Sequence, residues 1–335
     1  MRRRQRPSRF GRADGRAVGL HGRPGRDAGL RFDLKVAPNG YAWWYIDALS
    51  DDGQFGITLI AFIGSVFSPY YARSGRGEPD NHCALNVALY GPSVGRWAMT
   101  EHGSGFVERQ ANHFSVGRSA LRWDGQTLLI DIDEVTTPWP RRIRGQVRVD
   151  MEGLGDSAFH IDHLGKHRWR PLAPVARVGV HLQEPNLRWS GDGYLDANEG
   201  DEPLEDGFAF WDWSRTVIDG KRTAILYNTD MIGGQSCLSA FLAAKDGTIE
   251  DIETPPPAHL PRTPVWRVMR RTRAEEDGVA RIVRTFEDTP FYSRSLIETQ
   301  LFGKPRKAIH ESLSGPRLKS KIVQMMLPYR MPRRD

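Results

Sequence analysis

The sequence predicts an all-β protein, two antiparallel β-barrels or sandwiches in tandem, with a disordered N-terminal tail and a short C-terminal helix. Three observations predict it. From Tyr41 onward, short apolar or alternating runs follow one another closely. Turn dipeptides separate many of them: Asp52-Gly53, Asp124-Gly125, Asp219-Gly220, Asp246-Gly247 and Asp277-Gly278. The 335 residues also include 34 glycines and 22 prolines, which punctuate the chain too often for long helices.

Residues 1–30 carry nine arginines against Asp14 and Asp27, a net charge of +7. With almost no aromatic rings to stack on bases, this tail gives no support for nucleic-acid binding and reads as a disordered extension. A first β-domain is expected over 31–172, from the runs YAWWYIDAL, GITLIAFIGSVF, HCALNVALYG, GRWAM, SALRWDG, QTLLIDIDE and RIRGQVRVD. The join is expected near Pro171–Pro174, because some 270 residues of strands are too many for one small barrel. A second β-domain follows over 173–303, with ARVGVHL, LRWSGDGYLD, TAILYN, CLSAFLAA, VWRVMRR and ARIVRTFED, interrupted by the proline-rich connector ETPPPAHLPRTP.

Residues 304–335 form a basic amphipathic segment with nine Lys/Arg against Glu311 and Asp335, again +7, which leaves the body at −8 within an overall +6. In RLKSKIVQMML, Leu318, Ile322, Met325 and Met326 fall on one side of a helix. That pattern suits docking on the protein's own body or lying on an anionic membrane surface.

Several classes are excluded or unsupported. Cys83 and Cys237 stand far apart in no metal-ligand spacing, and no run of eighteen apolar residues could cross a membrane. The expectation is a cytoplasmic protein, soluble or peripherally bound to a membrane. No glycine loop of the dinucleotide or Walker type is present, so no cofactor is expected. Gly234-Gln235-Ser236-Cys237 lacks the second glycine of a nucleophile elbow. His160, His163 and His167 in HIDHLGKH do not share a face on a strand, and Gly165 argues against a helix, so no metal site is expected.

One constellation could carry chemistry. Side chains two apart on a strand share a face, so His167 with Trp169, and Tyr194 with Asp196, form two same-face pairs. If their strands are neighbours, an imidazole, an indole, a phenol and a carboxyl line one pocket. A free aspartic acid of pKa about 3.9 is protonated about one part in a thousand at pH 7, a deficit of roughly 4 kcal/mol. An apolar pocket removes most of that deficit by disfavouring the charged form. A protonated Asp196 could then donate to a carbon–carbon double bond, Trp169 could stabilise the cation, and His167 or Tyr194 could assist water. Asp201, Glu202, Glu205 and Asp206 read instead as a solvated loop or as partners for arginines. Trp211 and Trp213 read as barrel wall.

Taken together, YAWWYIDALSDDG (41–53), LIAFIGSVFSPYYA (59–72), DNHCALNVALYG (80–91), GKHRWRPLAP (165–174), RWSGDGYLDANEGDEPLEDGF (188–208), WDWSR (211–215) and the HESLSGPRL…LPYRMPRR region (310–334) closely resemble the carotenoid 1,2-hydratases, also called hydroxyneurosporene synthases. The resemblance covers nearly everything from about residue 40 onward. It implies two tandem lipocalin-like β-domains and a cofactor-independent hydro-lyase of photosynthetic bacteria, peripheral to the inner or photosynthetic membrane. Its substrates would be water and an acyclic carotenoid such as neurosporene or lycopene, hydrated at the terminal 1,2 double bond. The family's catalytic aspartate falls on Asp196, its HRW histidine and tryptophan on His167 and Trp169, and its GYxD tyrosine on Tyr194. Two rivals on the same scaffold are a cyclase or isomerase of an apolar polyene, and a carrier that binds carotenoid or lipid unchanged.

Overall fold

The structure, a computed structural model, describes residues 15–16, 19–20 and 29–335 apart from 277. The expectation of a disordered tail therefore lies almost wholly outside the described residues. The rest is all-β and lipocalin-like, as expected, mainly in two curled, largely antiparallel sheets, with a small two-stranded sheet besides.

The first sheet is built from β1 (Tyr41–Ser50), β2 (Gly56–Ile63), β3 (Cys83–Tyr90), β4 (Arg96–His102), β5 (Val107–Gln110), β6 (His113–Val116), β7 (Ser119–Trp123), β8 (Thr127–Val135), β9 (Arg142–Asp150), β10 (His167–Glu184) and β11 (Leu187–Gly200). Their order is β4-β3-β2-β1-β11-β10-β9-β8-β7-β6-β5. The second sheet holds β12 (Phe208–Asp219), β13 (Arg222–Met231), β14 (Ser236–Ala244), β15 (Arg281–Asp288), β16 (Tyr292–Leu301) and β17 (Lys304–Ser314), in the order β14-β13-β12-β17-β16-β15.

Two expected boundaries are corrected. The change of sheet falls between Gly200 and Phe208, not at Pro171–Pro174, which lie inside β10. Proline cannot donate to a ladder, and β10 accommodates both prolines where its register with β11 slips, between Arg170 and Ala173 and between Ala173 and Ala176. Residues 304–314 are likewise a strand of the second sheet rather than part of a separate tail. The expected short helix is present at Lys321–Arg330, but its apolar face differs: Val323 and Leu327 turn inward, while Ile322, Met325 and Met326 are 67%, 67% and 40% exposed. The cause is a break at Ser320, whose extended backbone ends the preceding turn Gly315–Lys319, so helical spacing does not run on from Leu318.

Around β1 and β11 the first sheet is buried on both faces. In β1, Ala42, Trp44, Ile46 and Ala48 point into its own curl with Leu195 and Ala197 of β11. Tyr41, Trp43 and Tyr45 point the other way, as Tyr194 does, against Trp213, Tyr227, Phe241 and Leu313 of the second sheet. The period of two along a strand thus serves two cores. At this inter-sheet layer Arg215 of β12 donates from Nε to Asp47 Oδ1 of β1 at 2.6 Å, and each side chain is only 3% exposed.

A buried charge stripped of its partner is costly, whereas an exposed pair contributes little. Asp47→Ala should therefore destabilise the protein by about 3–5 kcal/mol in urea unfolding, and Asp51→Ala, which removes an exposed partner of Arg177, by less than about 1 kcal/mol.

Candidate active site

Strands β10 and β11 are direct neighbours, with His167 opposite Gly200 and Trp169 opposite Asn198. This register places the Trp169 indole beside the Asp196 carboxyl, and Nε1 donates to Oδ2 at 2.8 Å. The Tyr194 hydroxyl donates to the same oxygen, also at 2.8 Å, and Asn198 Nδ2 stands 3.3 Å from Oδ1. Oδ2 is thus filled by two donors, one of which, the indole N–H, can never accept. A proton on this carboxyl belongs on Oδ1.

Three of the four residues singled out from sequence come together in this way. His167 does not join them. It is fully buried, its Nδ1 is 2.8 Å from the Tyr41 hydroxyl, and its ring packs on Phe208 at 4.5 Å. Its backbone N–H donates to Asp162, and Nε2 lies 3.5 Å from Glu202, so it ties the turn before β10 to the crossover between the sheets. Burial lowers its pKa below the usual histidine value. The acidic crossover itself is ion-paired: Asp201 with Arg168 at 2.8 Å, Asp206 with Lys319 at 2.6 Å, Glu205 with Arg76 at 2.5 Å, and Glu202 with Lys166.

Asp196 opens onto a cavity of about 710 Å³ between the two sheets. Trp169, Tyr194 and His167 do not line it; among the aromatic residues that do are Trp43, Tyr45, Trp211, Trp213 and Tyr227. Trp211 and Trp213, expected as wall only, therefore face the space where a ligand would sit. Rings from both sheets stack in a row, Trp43 on Trp211 at 5.9 Å and Trp211 on Tyr227 at 5.4 Å, and Tyr227 continues to Trp169 at 5.2 Å. The cavity is also lined by Met326 and Tyr329 of the C-terminal helix and by Trp266, all exposed, which marks its mouth.

The electrostatic setting of Asp196 is unlike that of most other buried acids. Asp47, Glu101, Glu205 and Asp212 each meet an arginine, and Asp162 accepts three backbone N–H groups. Asp196 meets only neutral donors. Burial pushes its pKa up to about 8 against the opposing pull of the Trp169 and Tyr194 bonds, and the nearby charges of Glu311 and Asp47 add to the rise. Glu134, bonded only by Ser119, is also pushed up to about 8 by burial, but it does not line the cavity.

The sequence reading missed a second polar group in the cavity wall. Glu311 of β17 accepts at Oε1 from Arg294 Nε at 2.9 Å, from Arg294 Nη2 at 2.7 Å and from the Tyr45 hydroxyl at 2.7 Å. Its position within a basic C-terminal stretch gave no sign of burial. Alternation in KAIHESLS, with Ile309 and Leu313 flanking it at two-residue spacing, was the available signal. Among the described residues no cluster of three or more His, Cys, Asp or Glu side chains is arranged to hold a metal ion.

A family model described as carotenoid hydratase CrtC matches residues 59–335. The chain is 49% identical over 323 residues to an acyclic carotenoid 1,2-hydratase of Thiocapsa roseopersicina, across 96% of this chain and 80% of that one. It is 47% identical over 309 residues to an acyclic carotenoid 1,2-hydratase of Rubrivivax gelatinosus, across 91% and 76% respectively. The crystal structure of CghA with Sch210972 aligns with 90% of this chain and 96% of its own, at a TM-score of 0.54 and 13% identity, a likeness of fold alone.

The raised pKa has a consequence for stability. Between about pH 4 and 8 the folded state holds a proton on Asp196 that the unfolded chain, with a carboxyl near 3.8, has released, so this group's contribution to stability falls as pH rises through that window. Asp196→Asn has no proton to hold. Its stability relative to the parent should rise by on the order of 1 kcal/mol per pH unit across the window, measured as the difference in urea unfolding free energy at pH 5 and pH 7.5.

Proposed function

The chain belongs to the carotenoid hydratase CrtC family and is a hydro-lyase, and from that premise we propose how its cavity adds water to the terminal 1,2 double bond of an acyclic carotenoid such as neurosporene or lycopene. The observation that carries the proposal is the carboxyl of Asp196, buried against aromatic rings, without an arginine, and pushed up to about 8. Such a group is mostly protonated at pH 7 and can act as a general acid.

The polyene end enters between the sheets with the rest of the chain trailing through the mouth. Asp196 delivers the Oδ1 proton to C2, which places the positive charge on C1, the more substituted carbon. Ring faces stabilise such a cation, and those of Trp43, Trp213 and Tyr227, which line the cavity, take this role. Trp169 and Tyr194 act as positioning residues, since both bond Oδ2 and neither lines the cavity. His167 also positions, by holding the crossover that carries the chain into the second sheet. Water then adds at C1 to give a tertiary alcohol. The sum is alkene plus water, so the chemistry calls for no cofactor.

We further propose that the protein meets its substrate at a membrane surface. No helix among the described residues is long and apolar enough to cross a bilayer. The C-terminal helix, however, presents exposed Ile322, Met325, Met326 and Tyr329 beside the exposed cations Lys321 and Arg330, and Met326, Tyr329 and Arg330 also line the cavity. An apolar face continuous with the mouth and rimmed by positive charge suits an anionic lipid surface.

Incubation of purified protein with lycopene in ¹⁸O-labelled water should give a product heavier by one labelled water, and Asp196→Asn should abolish it. Unchanged carotenoid that co-purifies with the protein would instead identify a carrier, and an altered carotenoid of unchanged mass a cyclase or isomerase. Because the acid must be protonated, turnover should fall about tenfold per unit as pH rises above about 8, read from initial rates in detergent. Ile322→Ser combined with Met325→Ser should reduce co-sedimentation with phosphatidylglycerol vesicles severalfold while leaving turnover of detergent-dispersed substrate unchanged.

A further inference from the structure

We propose that Glu311 is the base that holds the attacking water and takes its proton. The inference rests on the hydration reading above and assigns its second half, for which the Asp196 cluster offers no separate group.

Water that attacks a C1 cation becomes a protonated alcohol and must lose a proton, so a base has to stand within reach of the water at C1, the carbon next to the C2 that the acid reaches. Four carboxyls line the cavity: Asp196, Glu287, Asp288 and Glu311. Asp288 is engaged at both oxygens by the backbone N–H groups of Val265 and Trp266. Glu287 accepts from Tyr90 and from Arg294 Nη1 and sits in a strand at the edge of the second sheet. Glu311 is the one tied to the acid. Tyr45, which bonds it, lies directly opposite Asp196 in the β1–β11 ladder. Glu311 itself lies opposite Trp213, whose ring packs on Tyr194 at 5.2 Å and on Tyr45 at 5.5 Å. Its charge also acts on the Asp196 carboxyl.

The bonding pattern fits the role. All three protein donors converge on Oε1, leaving Oε2 without a hydrogen-bond partner among the described residues, on a side chain 14% exposed in the cavity wall. Oε2 is thus available for water. Tyr45 has one proton and two carboxylates within reach, Glu311 Oε1 at 2.7 Å and Asp47 Oδ2 at 2.8 Å. It can donate to Glu311 while that group is charged and swing to Asp47 once Glu311 has taken a proton. Arg294, 2% exposed and held also by Glu287, anchors Oε1 of the Glu311 carboxylate through two N–H groups.

The steps balance. The alkene π pair takes the Asp196 proton at C2 and forms the C–H bond, leaving Asp196 as carboxylate. A lone pair of water forms the C–O bond at C1, and the oxonium proton passes to Glu311. Transfer of that proton through cavity water back to Asp196 resets the site, and no oxidant or reductant is consumed.

The assignment separates two events that isotope labelling can read independently. Glu311→Gln keeps the size and an acceptor for Arg294 but removes the base. With lycopene in D₂O, hydration should fall 100-fold or more, while recovered carotenoid still gains deuterium, because Asp196 continues to protonate C2 and the trapped cation reverts by losing a proton. Asp196→Asn should show neither hydration nor deuterium. Glu311→Asp, which keeps the charge and withdraws it by about one bond length, should show the same split and serves if the Gln variant does not fold by circular dichroism. Hydration at near the parental rate in either folded variant, or loss of deuterium uptake together with hydration, would overturn the role of Glu311. A parent protein that adds no water would overturn the hydration reading itself.

Discussion

The constraint on which the rest depends is that β1 and β11 are apolar on both faces. Ala42, Trp44 and Ile46 fill the curl of the first sheet, and that core would satisfy a lone barrel. Tyr41, Trp43, Tyr45 and Tyr194 on the opposite face would then lie in water. Aromatic side chains bury large areas, and leaving four of them exposed on one sheet is unfavourable. The second sheet covers them, and the cavity is the part of this aromatic layer that the covering does not fill.

Every ionisable group placed in that layer loses its water, and the protein compensates most of them with a fixed partner of opposite charge. Asp47 with Arg215, and Glu311 with Arg294, span or flank the two sheets in this way. The Asp47–Arg215 pair and the Tyr45 bond to Glu311 also cross from one sheet to the other, and so tie the two sheets together beside the acid. Asp196 is left without a cation amid this compensation. Its neutrality follows from the scarcity of positive charge around it as much as from its apolar walls.

The period of two made much of this legible in the sequence. It places Tyr194 and Asp196 on one face and brings Trp169 to the same surface, and their contacts follow. It could not say which of two buried faces that was, because a strand with cores on both sides reads as a continuous apolar run. Pro171 and Pro174 point to a join because a chain often turns at proline, but here bulges absorb both prolines inside β10. Same-face spacing also put His167 with Trp169, yet two residues along a strand are about 6.6 Å apart, enough to place one at the acid and the other at the crossover. Glu311, Arg294 and Tyr45 escaped notice because their meeting depends on three strands from two sheets, which no local pattern encodes.

Under the proposed hydration, the two donors on Oδ2 of Asp196 would make this carboxyl a usable acid rather than merely a protonated one. A carboxyl in a wholly apolar site, bonded to nothing, would bind its proton so tightly that giving it up to an alkene would be unfavourable. Trp169 and Tyr194 pull the other way, since their bonds strengthen when the carboxylate forms. Burial holds the proton in place before reaction, and the donors stabilise the anion left after it. An acid is most effective when its pKa lies near the working pH, and a value of about 8 is what remains when these opposed influences meet on one side chain. The indole N–H cannot rotate or accept, so it also fixes which oxygen keeps the proton. The aromatic layer that forces the two sheets together thereby supplies the apolar walls and the anion-stabilising donors on which the proposed proton transfer relies.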